Sequence, residues 1–92
     1  MTILERAVAT YGKDMQLNVA IEELSELIKE ICKNKRGENN IANITEELAD
    51  CYIVMEQIAF IFNITDCAIT DVVRAKIDRL EKRLAERNKD GT

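Results

Sequence analysis

Two pairs of acidic residues, each three positions apart, suggest a metal site. The first pair is Glu23 and Glu26, in the segment EELSE, and the second is Glu47 and Asp50, in EELAD. Residues three apart lie on the same side of an α-helix, so two facing helices can surround one divalent cation with four carboxylates. The chain has no histidine, and a site built from oxygen ligands favours magnesium or manganese over zinc or copper.

Glu47 and Asp50 belong to a segment whose apolar residues cover most of a helix circumference, so we predict a largely buried helix with Glu47 inside the apolar arc. A carboxylate removed from water is protonated or needs a cationic partner. That partner is either a metal ion or a Lys or Arg side chain. The acids of the preceding helix, including Glu30, also fit the solvated face of an ordinary amphipathic helix.

Basic residues provide candidate phosphate ligands. Lys76 and Arg83, one heptad apart at the margin of the last apolar arc, are expected to face the bundle, where they either neutralise a polyphosphate or keep their charges in solvent. Near the end of the second helix, Lys33 and Arg36 either contact substrate or stabilise the helix dipole. Because magnesium often completes its coordination shell with substrate phosphates, the pattern predicts a phosphorylated substrate.

The elements that must position these residues are four helices, predicted over residues 2–10, 14–34 and 43–63 and from residue 65 onward. We expect Asp14 and Thr65 to act as N-caps, Asn43 and Glu46 to form a capping pair, and Gly37 to end the second helix. No segment alternates as a half-buried strand does, so the predicted fold class is all-α, a small helical bundle. The short loop between the two acidic helices predicts antiparallel packing.

Length and charge exclude several classes of protein. At 92 residues the chain is expected to form one domain, residues 1–92. A net charge of -4 argues against nucleic-acid binding. The longest apolar run is interrupted by Glu56 and Gln57, and the N-terminus lacks the long apolar region of a signal peptide, so no membrane span or secretion is expected. Three widely spaced cysteines suggest a reducing cytoplasm.

The order of these motifs resembles a known family. EELSE, a loop containing RG, EELAD and the later AKIDRLEKR are similar to the E-E-x-x-E…E-x-x-D signature and basic element of the MazG-like nucleoside triphosphate pyrophosphohydrolases, in the all-α NTP pyrophosphatase superfamily. The resemblance implies magnesium-dependent hydrolysis of a nucleoside triphosphate, deoxy or modified ones included, to the monophosphate and pyrophosphate. The implied role is nucleotide-pool housekeeping.

The resemblance also implies roles for individual residues. Four acids would hold metal, namely Glu23, Glu26, Glu47 and Asp50, and Glu22 would be an auxiliary catalytic acid. Lys76 and Arg83 would approach the substrate phosphates, and Gln16, in QLNVAIEE, would lie near the site. The proton acceptor stays open, with Glu22 and Glu30, which would not bind metal, as plausible as any of the four ligands.

Assembly is implied as well, as a homodimer or homotetramer. A helix that is apolar nearly all round agrees with this, because three short neighbours cannot cover it. Ile53 and Phe60 are candidates for a subunit contact or for internal packing. An alternative function is a catalytically silent helical interaction module, in which the acids would pair with Lys76 and Arg83.

Overall fold

The computed structural model describes residues 1–89, and these form four helices and no strand. Helix α1 spans Ile3–Tyr11, α2 spans Lys13–Lys35, α3 spans Ile41–Ile61 and α4 spans Asp66–Lys89. The predicted all-α fold class and the number of helices are therefore confirmed. The predicted helix ends are displaced by one or two residues from those observed.

Helix termini follow local chemistry, with two predicted caps wrong. Thr65 caps α4 as expected, since its hydroxyl accepts the backbone N–H of Ala68 at 3.1 Å. Asp14 is not an N-cap, because α2 already begins at Lys13, directly after Gly12. The predicted capping pair of Asn43 and Glu46 is also wrong, since α3 begins two residues earlier, after Asn40.

Helices α2 and α3 pack against each other in antiparallel orientation, as the short loop predicts. Near the loop, Asn40 contacts Glu30, and farther along, the Cys51 thiol donates to the Glu23 carbonyl oxygen at 3.6 Å. Gly37 allows the chain to reverse, with a φ of 103° that disfavours other residues. The helix pair therefore carries both acidic motifs on facing surfaces.

Helices α1, α2 and α3 pack into one body with a small core. Its buried apolar residues are Val8, Ala20, Cys51, Val54 and Ile61. Helix α1 packs across α2 and α3, and the Gln57 side-chain amide donates to the Leu4 carbonyl oxygen at 3.2 Å. Within this one chain, the prediction that α3 is largely buried is wrong, because Leu48, Tyr52 and Met55 remain exposed.

Helix α4 projects away from the other three helices. No Cα atom in its described length lies within 8 Å of a Cα atom in α1, α2 or α3. Its residues 66–88 are all exposed, including an aliphatic stripe that consists of Ile69, Val72, Val73, Ile77, Leu80 and Leu84. The radius of gyration, 17.4 Å, well exceeds the value of about 12 Å expected for a compact chain of this length. The expectation that α4 faces the bundle is therefore wrong for the single chain.

Candidate functional site

An acidic cluster lies where the middle of α2 faces the middle of α3. Glu23 of α2 and Glu47 and Asp50 of α3 each direct one carboxylate oxygen into it, and these three oxygens lie within 4.8 Å of one another. All three residues are only partly accessible to solvent. The cluster thus joins one acid of the first motif to both acids of the second.

Glu47 carries the clearest sign of a missing partner. Its Oε2 atom is buried and accepts no hydrogen bond from any described residue. Leaving a buried carboxylate oxygen unpaired is costly, and a cation or a proton would remove that cost. The sequence prediction that Glu47 projects into poorly hydrated surroundings agrees with this environment.

The electrostatics of the cluster also favour a bound cation. Burial, followed by repulsion from Asp50, raises the pKa of Glu47. Burial also raises the pKa of Glu23, with further contributions from the charge of Asp50 and from a hydrogen bond with it. These carboxyls bind protons more readily than ordinary glutamates because burial withdraws them from water and because negative charges are concentrated without a compensating cation. A divalent cation would relieve both effects.

Glu26 is the fourth predicted metal ligand, and it lies outside the group of three. Its side chain is exposed, yet its charge contributes to the raised pKa of Glu47, so it lies at the border of the cluster. Glu22 is exposed on the turn beside Glu23, where its charge contributes to the raised pKa of Glu23. Gln16 is buried on α2, seven residues before Glu23 and therefore near the same face.

Lys76 and Arg83 are not brought to the cluster by their own chain. Asp50 precedes the end of α3 by 11 residues and Lys76 follows the start of α4 by ten, and the two helix axes differ by 116° in direction. At about 1.5 Å per residue, their Cα atoms are about 17 Å apart, and Arg83 is about 24 Å from Asp50, before the connecting loop is counted. Neither side chain can contact the cluster directly. Instead, they line a shallow surface depression with Arg79 and Lys82.

The basic residues after the first motif are also away from the acidic cluster. The Lys33 ammonium pairs with the Glu30 carboxylate at 3.2 Å, and Arg36 is exposed at the C-cap of α2. Glu30 itself is buried and accepts a hydrogen bond from Asn40 at 3.2 Å. Sequence reasoning placed Glu30 in the acidic row but missed Asn40, because the run ENN has the composition of an ordinary loop. A buried loop asparagine leaves no periodic signal in a sequence.

All donors in the cluster are carboxylate oxygens, which suit a hard divalent cation. Glu23, Glu47 and Asp50 could hold such an ion, and their three ligands would leave coordination positions for water or phosphate oxygens. The nearby thiol of Cys51 is a poor ligand in its neutral form, since burial and then the charges of the acids raise its pKa. Among the described residues, no single helix has the length and apolar composition of a membrane span.

Comparison with curated proteins and with solved structures found no match. A model of the MazG nucleotide pyrophosphohydrolase domain matches residues 12–87, which include both acidic motifs and most of α4. This span covers well over half of the 92 residues. The chain therefore belongs to the MazG nucleotide pyrophosphohydrolase family, the family that its acidic motifs resemble.

Proposed function

We propose that the protein hydrolyses a nucleoside triphosphate to the nucleoside monophosphate and pyrophosphate, with magnesium bound by Glu23, Glu47 and Asp50 and assisted by Glu26. The observation that carries the proposal is the buried, unpartnered Oε2 of Glu47, which lies beside two further carboxylates in a chain of this family. Manganese is the expected substitute, because it accepts the same oxygen ligands.

Magnesium, when bound, neutralises phosphate oxygens and lowers the pKa of coordinated water. The contribution of the chain is to hold the acids in fixed positions on two packed helices and to accept a proton. Water attacks the α-phosphorus, the bond from that phosphorus to the bridging oxygen breaks, and pyrophosphate leaves. Glu22 is the better candidate to accept the proton, since hydrogen bonds from Asn40 and then Lys33 lower the pKa of Glu30 and weaken it as a base.

We propose further that a second copy of the chain covers the apolar surfaces, as a homodimer or as part of a homotetramer. The aliphatic stripe of α4 and the exposed apolar residues of α3 leave much apolar area without a partner, and an extended chain has few internal contacts to offset this. The charges are complementary, because α4 carries a basic group and the α2–α3 body carries the acidic cluster. Ile53, which is exposed, and the half-buried Phe60 stay candidates for this contact.

Assembly also bears on Lys76 and Arg83. Their own chain holds them away from the acids, so a role at the substrate phosphates requires the α4 of a second copy to carry them to the site. We retain that role as part of the proposal. Gln16 and Arg36 stay candidates for substrate contact, whereas Lys33 would first have to leave Glu30. Free cysteines at positions 32, 51 and 67 fit a cytoplasmic enzyme.

The alternative, a silent interaction module, is not favoured. The chain belongs to a family of nucleotide pyrophosphohydrolases and brings three of the acids together. One of these acids, Glu47, has a buried oxygen without a hydrogen-bond partner among the described residues, which favours a bound cation.

A pyrophosphate-release screen over ribonucleoside and deoxyribonucleoside triphosphates tests the proposal. We expect release from at least one substrate with magnesium, none with chelator, and none from Glu47→Gln. Glu46→Gln is the matched control, because Glu46 is the adjacent residue and is exposed, and it should retain activity. Release that persists in Glu47→Gln would contradict the assigned site.

A further inference from the structure

A polar cluster with buried members lies at the loop end of the α2–α3 pair. The Asn40 side-chain amide donates to the Glu30 backbone carbonyl oxygen at 2.8 Å and to the Glu30 Oε1 at 3.2 Å. The Asn34 amide donates to the Asn40 Oδ1 at 3.2 Å, and Lys33 pairs with the other Glu30 oxygen. Asn40 and Glu30 are 8% and 5% exposed, so nearly all of this cluster's central link is shielded from water.

Asn40 forms these bonds to Glu30 in place of a side-chain cap on α3. It is the N-cap of α3, a position where an asparagine side chain commonly accepts a backbone N–H of the first turn. Here no side-chain cap forms. The side chain reaches instead to the preceding helix and bonds both its backbone and its carboxylate. The N-cap residue of α3 is thus tied to a fixed residue of α2.

The spacing of this link matches the spacing of the acidic cluster. Glu30 lies seven residues after Glu23 on α2, and Asn40 lies seven residues before Glu47 on α3. Because the helices run antiparallel, the acidic cluster lies about 10 Å along each helix from the bond between Asn40 and Glu30. A slip of one residue on either helix would turn its acids by about 100° and move them out of the shared space.

We infer that Asn40 and Glu30 form a register clamp, which positions Glu23 opposite Glu47 and Asp50 for metal binding. This inference rests on the proposed function, and it makes both clamp members positioning residues. Hydrogen bonds from Asn40 and from Lys33 lower the pKa of Glu30, so its carboxylate stays ionised and accepts both bonds at neutral pH. The clamp lies too far from Glu23 to be a metal ligand itself.

The test breaks the clamp and then rebuilds it with donor and acceptor exchanged. Asn40→Asp places a carboxylate against Glu30, and the double substitution Asn40→Asp with Glu30→Gln restores the bond between the two side chains with donor and acceptor exchanged, but not the bond to the Glu30 backbone carbonyl oxygen. Asn39→Asp is the matched control, because it makes the same chemical change at an exposed neighbour. Manganese affinity is measured by titration followed by electron paramagnetic resonance, at a temperature where circular dichroism finds every variant folded.

We expect Asn40→Asp to lose at least about tenfold in manganese affinity, as for other groups that orient metal ligands. The double substitution should recover part of that loss, because it restores the bond between the side chains but not the bond to the Glu30 backbone carbonyl oxygen. Asn39→Asp should bind manganese like the wild type. Turnover of Asn40→Asp should approach the wild-type rate when manganese is raised to saturation. A residue with only a structural role would instead lower the active fraction without changing the manganese requirement.

The inference is overturned if folded Asn40→Asp binds manganese like the wild type, or if the exchanged pair recovers nothing. Should Asn40→Asp not fold, Asn34→Ala removes the bond that orients Asn40, together with a bond to the exposed Glu38 backbone carbonyl oxygen, and leaves the bonds between Asn40 and Glu30 in place. A smaller loss of manganese affinity is then expected, and no loss would count against the clamp. Absence of manganese binding and turnover in the wild type would instead refute the proposed function. The two failures are therefore distinguishable.

Discussion

Asp50→Asn should stabilise the metal-free protein while removing its response to metal. The substitution keeps the size of the side chain and deletes one negative charge from a cluster whose oxygens lie within 4.8 Å of one another. Without metal, like charges oppose folding at this point. With metal, the Asp50 carboxylate is a ligand. One substitution is thus expected to have opposite effects on stability and on activity.

The magnitude follows from the separation of Asp50 and Glu23. Carboxylate oxygens of these two residues lie no more than 4.8 Å apart, and two unit charges at that limit repel by about 0.9 kcal/mol in bulk water and by about 3.5 kcal/mol at an effective dielectric constant of 20. The cluster is partly accessible to water and Glu23 takes up protons readily, so the lower figure applies, about 1 kcal/mol. For a domain of this size, that corresponds to an increase in Tm of roughly 4–8 °C.

The assay is thermal unfolding at neutral pH and low salt, first with chelator and then with magnesium or manganese. With chelator, Asp50→Asn should melt above the wild type. With metal at 100 times its dissociation constant, the free energy of unfolding of the wild type should increase by about 2.7 kcal/mol, and its Tm should rise accordingly. The Tm of Asp50→Asn should not change on addition of metal. Asp71→Asn, at an exposed position of α4, controls for the loss of one charge. A metal-free Asp50→Asn protein that melts below the wild type would refute the reasoning.

Three further predictions concern pH, a thiol and assembly. Because Glu23 and Glu47 have raised pKa values, the folded metal-free protein binds more protons than the unfolded chain above the ordinary value of 4.5, so its stability should fall as pH rises through that window. The pKa of Glu30 is lowered instead, so the stability that Glu30 contributes should be lost as pH falls below 4.5. Urea unfolding measured across pH checks both predictions. Magnesium should flatten the decrease in stability above pH 4.5. Cys51, buried and with a raised pKa, should be the last of the three thiols to react with an aromatic disulfide, and simultaneous reaction of all three would contradict its described environment. Ile77→Asp, in the aliphatic stripe of α4, should dissociate the assembly in analytical ultracentrifugation, whereas exposed Asp78→Asn should not; a monomeric wild type would contradict the proposed contact.

Fold class and the antiparallel acidic pair were predictable because they depend on local patterns. Helical periodicity, the turn at Gly37 and the cap at Thr65 each act within a few residues. The N-cap of α3 was not predictable in this way, because Asn40 bonds to Glu30 across the helix pair and not to its own first turn. A contact between two helices overrides the preference of a residue for a local cap.

The use of carboxylates at the site was predictable, but which of the acids meet in the cluster was less so. The spacing of Glu47 and Asp50 placed both on one face, and the structure brings Glu23 to them. Glu26 lies at the border, because its side chain is exposed while Glu23 faces α3. A spacing of three places two acids on one side of a helix, but it does not determine which of them faces the neighbouring helix more directly. The position of α4 was mispredicted, since an apolar stripe indicates that a helix needs a partner but not whether that partner belongs to the same chain.

The most direct test of the central claim is the identity of the bond that is broken. The protein, with magnesium and the best substrate of the screen, is allowed to react in water enriched in heavy oxygen, and the products are separated and weighed by mass spectrometry. Hydrolysis at the α-phosphorus predicts nucleoside monophosphate that carries the heavy atom and pyrophosphate that does not. Label in pyrophosphate, or release of nucleoside diphosphate and inorganic phosphate, would contradict the proposed reaction.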